Sequence, residues 1–423
     1  MPLSSANSGP SGELLPAAVN PAFLRERVDW YYRERVEKTW NGGHIMRGRI
    51  PGRDAVMLVS NDYLSIARHP DIIRAQADTL TGGGNTLLMS AVFMHDDADP
   101  HLELEREFGR FLGSETSILC QSGWCANTGL IQAIADETVP IYVDMFAHTS
   151  LHEGIRSAGA TAHPFRHNDV GHLERLVRRH GPGVVVVDSV YSTTGSVAPL
   201  RDIVSVGLQN DCVLVVDESH SLGTHGKEGE GLVAQLGLQD SVHFRTASLA
   251  KAFAGRAGLI TCSERFAEYF KCTSRPAIFS STLLPHEVAG LRATLDVIRR
   301  EDWRRRRLRR NTAYLRRELD ALGYNVDISR AQILALEAGP EPATMALRDA
   351  LEAGGIFGSV FCAPATPNNR SLIRLSVNAG LSRRDLERIV TVCADIREAV
   401  GLEDWPSTRR KQRTAAPPRR EAV

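Results

Sequence analysis

Between residues 117 and 261 the chain repeats a pattern that few folds accommodate: a short unbroken apolar run, a helical segment, then another run. The runs fall at 117–120, 141–143, 183–187, 213–216 and 259–261, and segment 126–134 carries apolar residues at i, i+4, i+5 and i+8. A strand that is apolar at successive positions is buried on both faces, which predicts an α/β fold with a mainly parallel sheet covered by helices. In such sheets ligands bind beyond the carboxyl ends of the strands. Polar residues that follow the runs are therefore the candidates for chemistry.

The 423 residues suffice for one large domain and a smaller one. The expected division is a disordered start and helical arm over 1–55, a large domain over 56–290, a smaller α+β domain over 291–405 and a disordered basic tail over 406–423. In the arm, an amphipathic helix is expected over 23–40, with Leu24, Val28, Tyr31 and Tyr32 on a face that covers a domain or a second subunit. Asp99-Pro100 reads as an N-cap with proline at the first helical position, and the helix should end at Gly113. A long helix is expected from Pro285 to about Leu322, its arginine-rich back solvated.

Fifty basic residues cancel fifty acidic ones, so no global field favours nucleic acid or an acidic membrane. The seven cysteines are scattered without a CxxC pair, which fits neither a zinc site nor a disulfide framework and suits a reducing cytoplasm. No run reaches the roughly 18 apolar residues of a membrane span. The expectation is a cytoplasmic protein that acts on small molecules, with no metal and no nucleic-acid partner.

Lys251, in ASLAKAFAG, has Ala250, Ala252, Phe253 and Ala254 for neighbours. Desolvation there disfavours the ammonium, so the amine can attack an aldehyde; the same pattern also fits a lysine snorkelling from a buried turn. Asp217 ends the run VLVVD. Alone it is a helix cap or a Walker-B aspartate, but the chain has no GxxxxGK[ST] loop to go with a Walker-B strand. Its other natural partner is an aromatic nitrogen. An aspartate that keeps a pyridine ring protonated, together with an aldehyde-binding lysine, is what pyridoxal phosphate needs to act as an electron sink.

A phosphate needs a cradle, and Ser122-Gly123-Trp124 turns from a strand into a helix, where free N–H groups and the helix dipole converge. His148 follows the run 141–143; it either caps a helix or stacks on a pyridine face. Ser192 and Thr193 follow the run 183–187, within reach of a phenolic oxygen. Arg374, flanked by apolar residues, suits a carboxylate. The glycines 223, 226, 229 and 231 do not spell the dinucleotide fingerprint.

Ten blocks, SNDYLSIARHP, HLELEREFGRFLG, QSGWCANTGL, AHTSLHEGIRSAGA, FRHNDVGHLERL, DSVYSTTGSVAPL, VDESHSLGTHGKEGEG, ASLAKAFAG, FSSTLLP and IRLSVNAG, occur in an order that resembles the α-oxoamine synthases. The resemblance spans roughly residues 56–400. MSAVFMHDD, PFRHNDVGHL, RPAIFSSTLLP and GSVFCAPAT resemble the branch of that family that makes α-hydroxyketone quorum-sensing autoinducers.

The resemblance implies the pyridoxal-phosphate-dependent, aspartate-aminotransferase fold (fold type I), with a large seven-stranded-type sheet domain. It implies an acyltransferase that condenses an acyl-CoA with an amino acid or related amine, such as S-adenosylmethionine or 2-aminobutyrate. Carried over by position, Lys251 holds the cofactor and acts as base, Asp217 meets the ring nitrogen, and His148 stacks on the ring. His220 and Ser192 lie near the phenolic oxygen, with Ser122, Gly123, Trp124 and Ser248 around the phosphate. Ser281 and Thr282 reach the cofactor phosphate of the neighbouring subunit, making a homodimer with shared active sites, and Arg374 and Asn61 bind substrate.

Two departures lie where donor and acyl chain bind. GGGNTLLMSAVFMHDD lacks the arginine usual in that loop, and Ala252 and Ala254 stand where glycine usually follows the lysine. A housekeeping relative, such as 8-amino-7-oxononanoate synthase or 2-amino-3-ketobutyrate ligase, is the alternative enzyme. A non-catalytic cofactor-binding regulator would need a fused DNA-binding segment, for which the first fifty residues offer neither length nor pattern.

Overall fold

The computed structural model describes residues 21–36, 48–84, 90–94, 98–363 and 365–415. Twelve strands occur among them in chain order: β1 Val56–Met57, β2 Thr116–Cys120, β3 Pro140–Asp144, β4 Thr161–Phe165, β5 Val184–Asp188, β6 Val213–Asp217, β7 Phe244–Ser248, β8 Gly258–Cys262, β9 Ile333–Gly339, β10 Ile356–Phe357, β11 Ser359–Phe361 and β12 Ser371–Ser376.

Seven of them form one sheet in the order β2-β8-β7-β6-β5-β3-β4. Strand β8 is antiparallel to both neighbours and the other pairs are parallel, so six strands share one direction. Their carboxyl ends therefore form one edge. Every residue of β5, VVVVD, is buried, as continuous apolar runs predict for a strand covered on both faces. Five strands were legible this way. The two missed are β4, an edge strand whose sequence TAHPF is mostly exposed, and β7, whose Arg245 breaks the apolar pattern.

Arg245 is nevertheless buried. Its Nε donates to Glu218 Oε2 at 2.6 Å and its Nη1 to the Leu112 carbonyl at 2.8 Å. An ion pair with satisfied donors lets an arginine stand in a core strand.

The C-terminal unit is an antiparallel sheet, β11-β12-β9, with helices Glu341–Ala353 and Arg383–Asp395. Strand β1 pairs with β10 of this unit, the Leu58 carbonyl accepts from Ser376 N, and the Tyr63 carbonyl accepts from Ala379 N. The segment from Val56 to Tyr63 is thus hydrogen-bonded to the C-terminal unit, although the boundary drawn at 56 assigned it to the large one.

Other expectations change. Asp99 caps helix Pro100–Leu112 and Gly113 closes it in the left-handed conformation, as read. The long helix after Pro285 is two, Pro285–Arg300 and Asp302–Ala321. Its arginines are only partly a solvated back: Arg306, Arg309, Arg310 and Arg317 are exposed, but Arg304 donates to the Leu64 and Ser65 carbonyls, Arg307 to Leu381 O, Arg309 to Gly226 O, and Arg305 is buried against Ile298 O. Arg304, Arg307 and Arg309 satisfy loop carbonyls that no sequence pattern announces.

The basic tail also folds as far as described. Pro406–Ala415 is a helix in which Ser407 and Thr408 are buried and Ser407 Oγ donates to the Glu337 carbonyl. Arg410 pairs with Glu337 and Lys411 with Asp320. Near the other end, the helix runs Ala22–Tyr31, with Phe23 and Trp30 exposed, and residues 37–40 of the expected helix lie outside the described residues. No helix among the described residues is long and apolar enough to cross a membrane.

Candidate active site

The common direction of six strands collects the predicted residues on one edge. Ser122 follows β2, His148 follows β3, Ser192 follows β5, Asp217 ends β6, Ser248 ends β7, and Lys251 lies three positions farther on. Asp217 and Thr246 are register partners on β6 and β7, so acid and lysine emerge from adjacent strands.

Lys251 is half-buried, and its Nζ has no hydrogen-bond or ion-pair partner among the described residues. Burial lowers its pKa, nearby Arg374 adds to the fall, and Asp217 opposes it. The loop that presents it is strained: Ala254 is held at φ 48°, a left-handed conformation that favours glycine. Its N–H donates to the Lys251 carbonyl at 2.9 Å, which fixes the turn.

Asp217 is buried, with Oδ1 accepting from Ser219 N at 2.8 Å and Oδ2 from Asn127 Nδ2 at 2.7 Å. Asn127 Nδ2 also donates to Ser150 Oγ at 2.9 Å, and that hydroxyl lies 2.7 Å from His148 Nδ1. One amide thus fixes both the acid and the imidazole. His148 caps helix Thr149–Ala158, accepting from Ser150 N at 3.3 Å, and its ring is exposed with Trp124 edge-on at 6.2 Å. Capping and an open ring face coexist in this residue.

The cradle is built by close packing. Ser122 caps helix Gly123–Ile134 by accepting from Cys125 N at 3.1 Å. A Cβ at Gly123 would stand 2.5 Å from the Ser248 Cβ, so only glycine lets this turn approach the end of β7. Ser248 N in turn donates to Ser219 Oγ at 2.7 Å. Helix N–H groups, glycine and serine hydroxyls at one spot fit an anion.

Arg374 reaches the edge from β12 of the C-terminal unit. It is 6% exposed; Nη1 donates to the Ser192 carbonyl at 2.9 Å and Nη2 to Asn61 Oδ1 at 2.8 Å, while Nε is buried without a partner. His220 is buried, and desolvation together with Lys251, Arg374 and His148 holds its pKa well below the ordinary histidine range. Its Nδ1 lies 2.7 Å from the Tyr63 hydroxyl.

Ser281 and Thr282 precede helix Pro285–Arg300. Within one chain they line a small cavity with Gln121 and Cys125, and Gln121 Nε2 donates to the Ser281 carbonyl. Residues 85–89 and 95–97 of the arginine-free loop lie outside the described residues.

Sequence reasoning missed Asn127, Tyr63 and Ser219. Asn127 sat inside a recognised block, one turn into the cradle helix, and a buried polar residue beside apolar Ala126, Leu130 and Ile131 was its only signal. An unpartnered buried donor, Arg374 Nε, and the half-buried Lys251 amine, beside a carboxylate and an anion cradle, fit a ligand that carries a phosphate, an aldehyde and a basic ring nitrogen. Arg374 adds a place for a carboxylate.

A family model described as aminotransferase class I and II matches residues 53–392. The CAI-1 autoinducer synthase of Vibrio campbellii is 46% identical over 375 residues, covering 89% of this chain and 95% of that protein. The 8-amino-7-oxononanoate synthase of Geobacter sulfurreducens is 32% identical over 378 residues, 87% of this chain and 95% of that protein. Among solved structures, the serine palmitoyltransferase of Sphingomonas wittichii has a TM-score of 0.80 at 25% identity, covering 92% of this chain and 100% of that one.

Proposed function

Because the chain belongs to the aminotransferase class I and II family, we propose that it is a pyridoxal-phosphate-dependent acyltransferase that makes the aminoketone or enaminone precursor of an α-hydroxyketone autoinducer. Its substrates on this reading are an acyl-CoA and an amino acid or related amine. The observation that carries it is a half-buried, unpaired Lys251 amine set against buried Asp217 beside an anion cradle. The relative that bears the autoinducer-synthase name is 46% identical over nearly its whole length, against 28% and 32% for two of the 8-amino-7-oxononanoate synthases, which makes a housekeeping role the weaker reading.

Bound at this edge, pyridoxal phosphate supplies an aldehyde that amines condense with and a ring that spreads the negative charge of a carbanion. Asp217, oriented by Asn127 and Ser219, would hold a proton at the ring nitrogen. The Ser122–Trp124 turn and Ser248 would hold the phosphate, and His148, with an open ring face, would pack on the pyridine. Lys251 is the residue that would hold the aldehyde, and its neutral amine would take the proton from the donor's α carbon. A lowered pKa leaves more of it neutral for that task. Arg374, with Asn61, orients a donor carboxylate through its remaining N–H groups. His220 and Ser192 would lie by the phenolic oxygen.

The active unit on this reading is a homodimer in which Ser281 and Thr282 reach the partner's phosphate. Phe93, Trp124, Met145 and Phe279, all exposed on segments around the cradle, give a second subunit apolar surface to cover. All seven cysteines are free thiols, which suits the cytoplasm as its compartment.

The test is a panel of acyl-CoAs against amine donors, with the purified, cofactor-loaded protein and CoA release as readout. Donor-dependent CoA release is expected. Amino transfer to an oxoacid with no CoA released would contradict the assignment.

A further inference from the structure

The block FRHNDVGHLERL supplies none of the side chains that would meet the cofactor, yet it sets His167 between two loops of the active-site edge. Strand β3 lies between β4 and β5, all three parallel, and His167 follows the end of β4. Its Nδ1 lies 3.0 Å from Asp144 Oδ1 at the end of β3, and its Nε2 lies 2.9 Å from Ser196 Oγ in the loop after β5. One ring thus spans the end of the middle strand. Asn168 adds a second tie: its N donates to Asp144 Oδ2 at 2.9 Å and its Nδ2 to the Val197 carbonyl at 3.0 Å, from a left-handed φ of 56° that asparagine tolerates.

One end of this bridge is the turn that delivers His148. Asp144 is wholly buried; its Oδ1 also accepts from Phe146 N at 2.8 Å and its carbonyl from Ala147 N at 2.9 Å, so an Asx turn and a β-turn share one residue. A carboxylate only accepts, so His167 Nδ1 is the donor. The Phe146 ring stacks on the imidazole with centroids 4.4 Å apart and planes at 18°. The other end is the loop whose Ser192 carbonyl holds Arg374 Nη1. There Ser196 Oγ lies 2.9 Å from Thr194 Oγ1, and the Thr194 carbonyl accepts from Ser329 Oγ at 2.7 Å.

We propose that His167 is a positioning residue: bonded to Asp144 and stacked on Phe146, it braces the turn that presents His148 against the loop that carries Ser192. The β3–β5 ladder stops at Val143 and Val186, one residue short of Asp144. Beyond it the spacing of the two loops depends on side chains, namely the His167 bridge and Asp188 Oδ1, which accepts from His148 N at 3.2 Å. The consequence for the reaction rests on the reading that His148 packs on the pyridine and Ser192 lies by the phenolic oxygen. A ring held between those two residues keeps its place only while the loops keep their spacing.

Hydrogen exchange read by mass spectrometry on the cofactor-free protein tests the brace itself. His167→Phe keeps a ring beside Phe146 and removes both bonds, so peptides covering 144–148 should exchange at least about tenfold faster while those covering β6 and β7 stay unchanged. Unchanged exchange at 144–148, or a rise shared by the whole sheet, would overturn the proposal. In the cofactor-loaded enzyme, His167→Phe should lower kcat about tenfold and leave KM for the donor within about twofold. His167→Asn, whose amide can donate where Nδ1 does, should restore kcat to within about threefold of the unmodified enzyme. If His167 acts through His148, then in a His148→Ala background His167→Phe should lower kcat by less than about twofold. An equal loss in both backgrounds would overturn the proposal. Absence of CoA release by the unmodified, loaded protein would sink the functional reading instead, while the exchange pattern would still decide the brace.

Discussion

A lysine ammonium surrounded by apolar groups binds its proton less tightly than one in water, and neighbouring charges then tune the result. At Lys251 burial comes first, Arg374 reinforces it and Asp217 works against it. In the cofactor-free protein, an amine-directed reagent should therefore label Lys251 with a pH midpoint below that of ordinary lysines. Removing the opposing charge with Asp217→Asn should move that midpoint lower still, and in the loaded enzyme should cut turnover by about a hundredfold or more. A midpoint that rises or stays put would contradict this account of the site. Lys251 and Asp217 were legible because each breaks an apolar run, which core packing alone would not choose. Asn127 and Tyr63 were not: they lie 90 and 157 positions from the residues they hold, and a hydrogen bond formed across the fold leaves no mark on its local sequence.

At the scale of elements, legibility followed burial symmetry. Strands covered on both faces, such as VVVVD of β5, announced themselves. The exposed edge strand β4 and the salt-bridged β7 did not, because neither shows a continuous apolar run. Charged helices misled for a related reason. The arginines of Asp302–Ala321 and the basic residues of Pro406–Ala415 read as solvated, yet Arg304 and Arg307 cap loop carbonyls while Arg410 and Lys411 pair with Glu337 and Asp320. The phosphate cradle is an element-level device that depends on the start of helix Gly123–Ile134 touching the end of β7. Gly123→Ala puts a methyl 2.5 Å from the Ser248 Cβ, so the turn must move, at a cost of about 1–3 kcal/mol. Calorimetric titration with pyridoxal phosphate should show affinity weakened at least about tenfold, and unchanged affinity would place the phosphate elsewhere.

The whole molecule makes the site by bringing two units to one edge. The ends of β2, β6 and β7 of the large sheet supply the cradle, the acid and the lysine, while the C-terminal unit supplies Arg374 on β12 and, through the segment bound to it, Asn61 and Tyr63. The mainly parallel sheet was readable from the repeating apolar runs alone. The contribution of residues 56–63 to the C-terminal unit was not, since a two-residue strand gives no periodicity to detect. On this architecture every function assigned above depends on one amine and one aldehyde meeting at the edge. The direct measurement is borohydride reduction of the protein loaded with pyridoxal phosphate, followed by peptide mass mapping. A stable pyridoxyl group on Lys251 is the predicted result. No label, or a label confined to other lysines, would contradict the account.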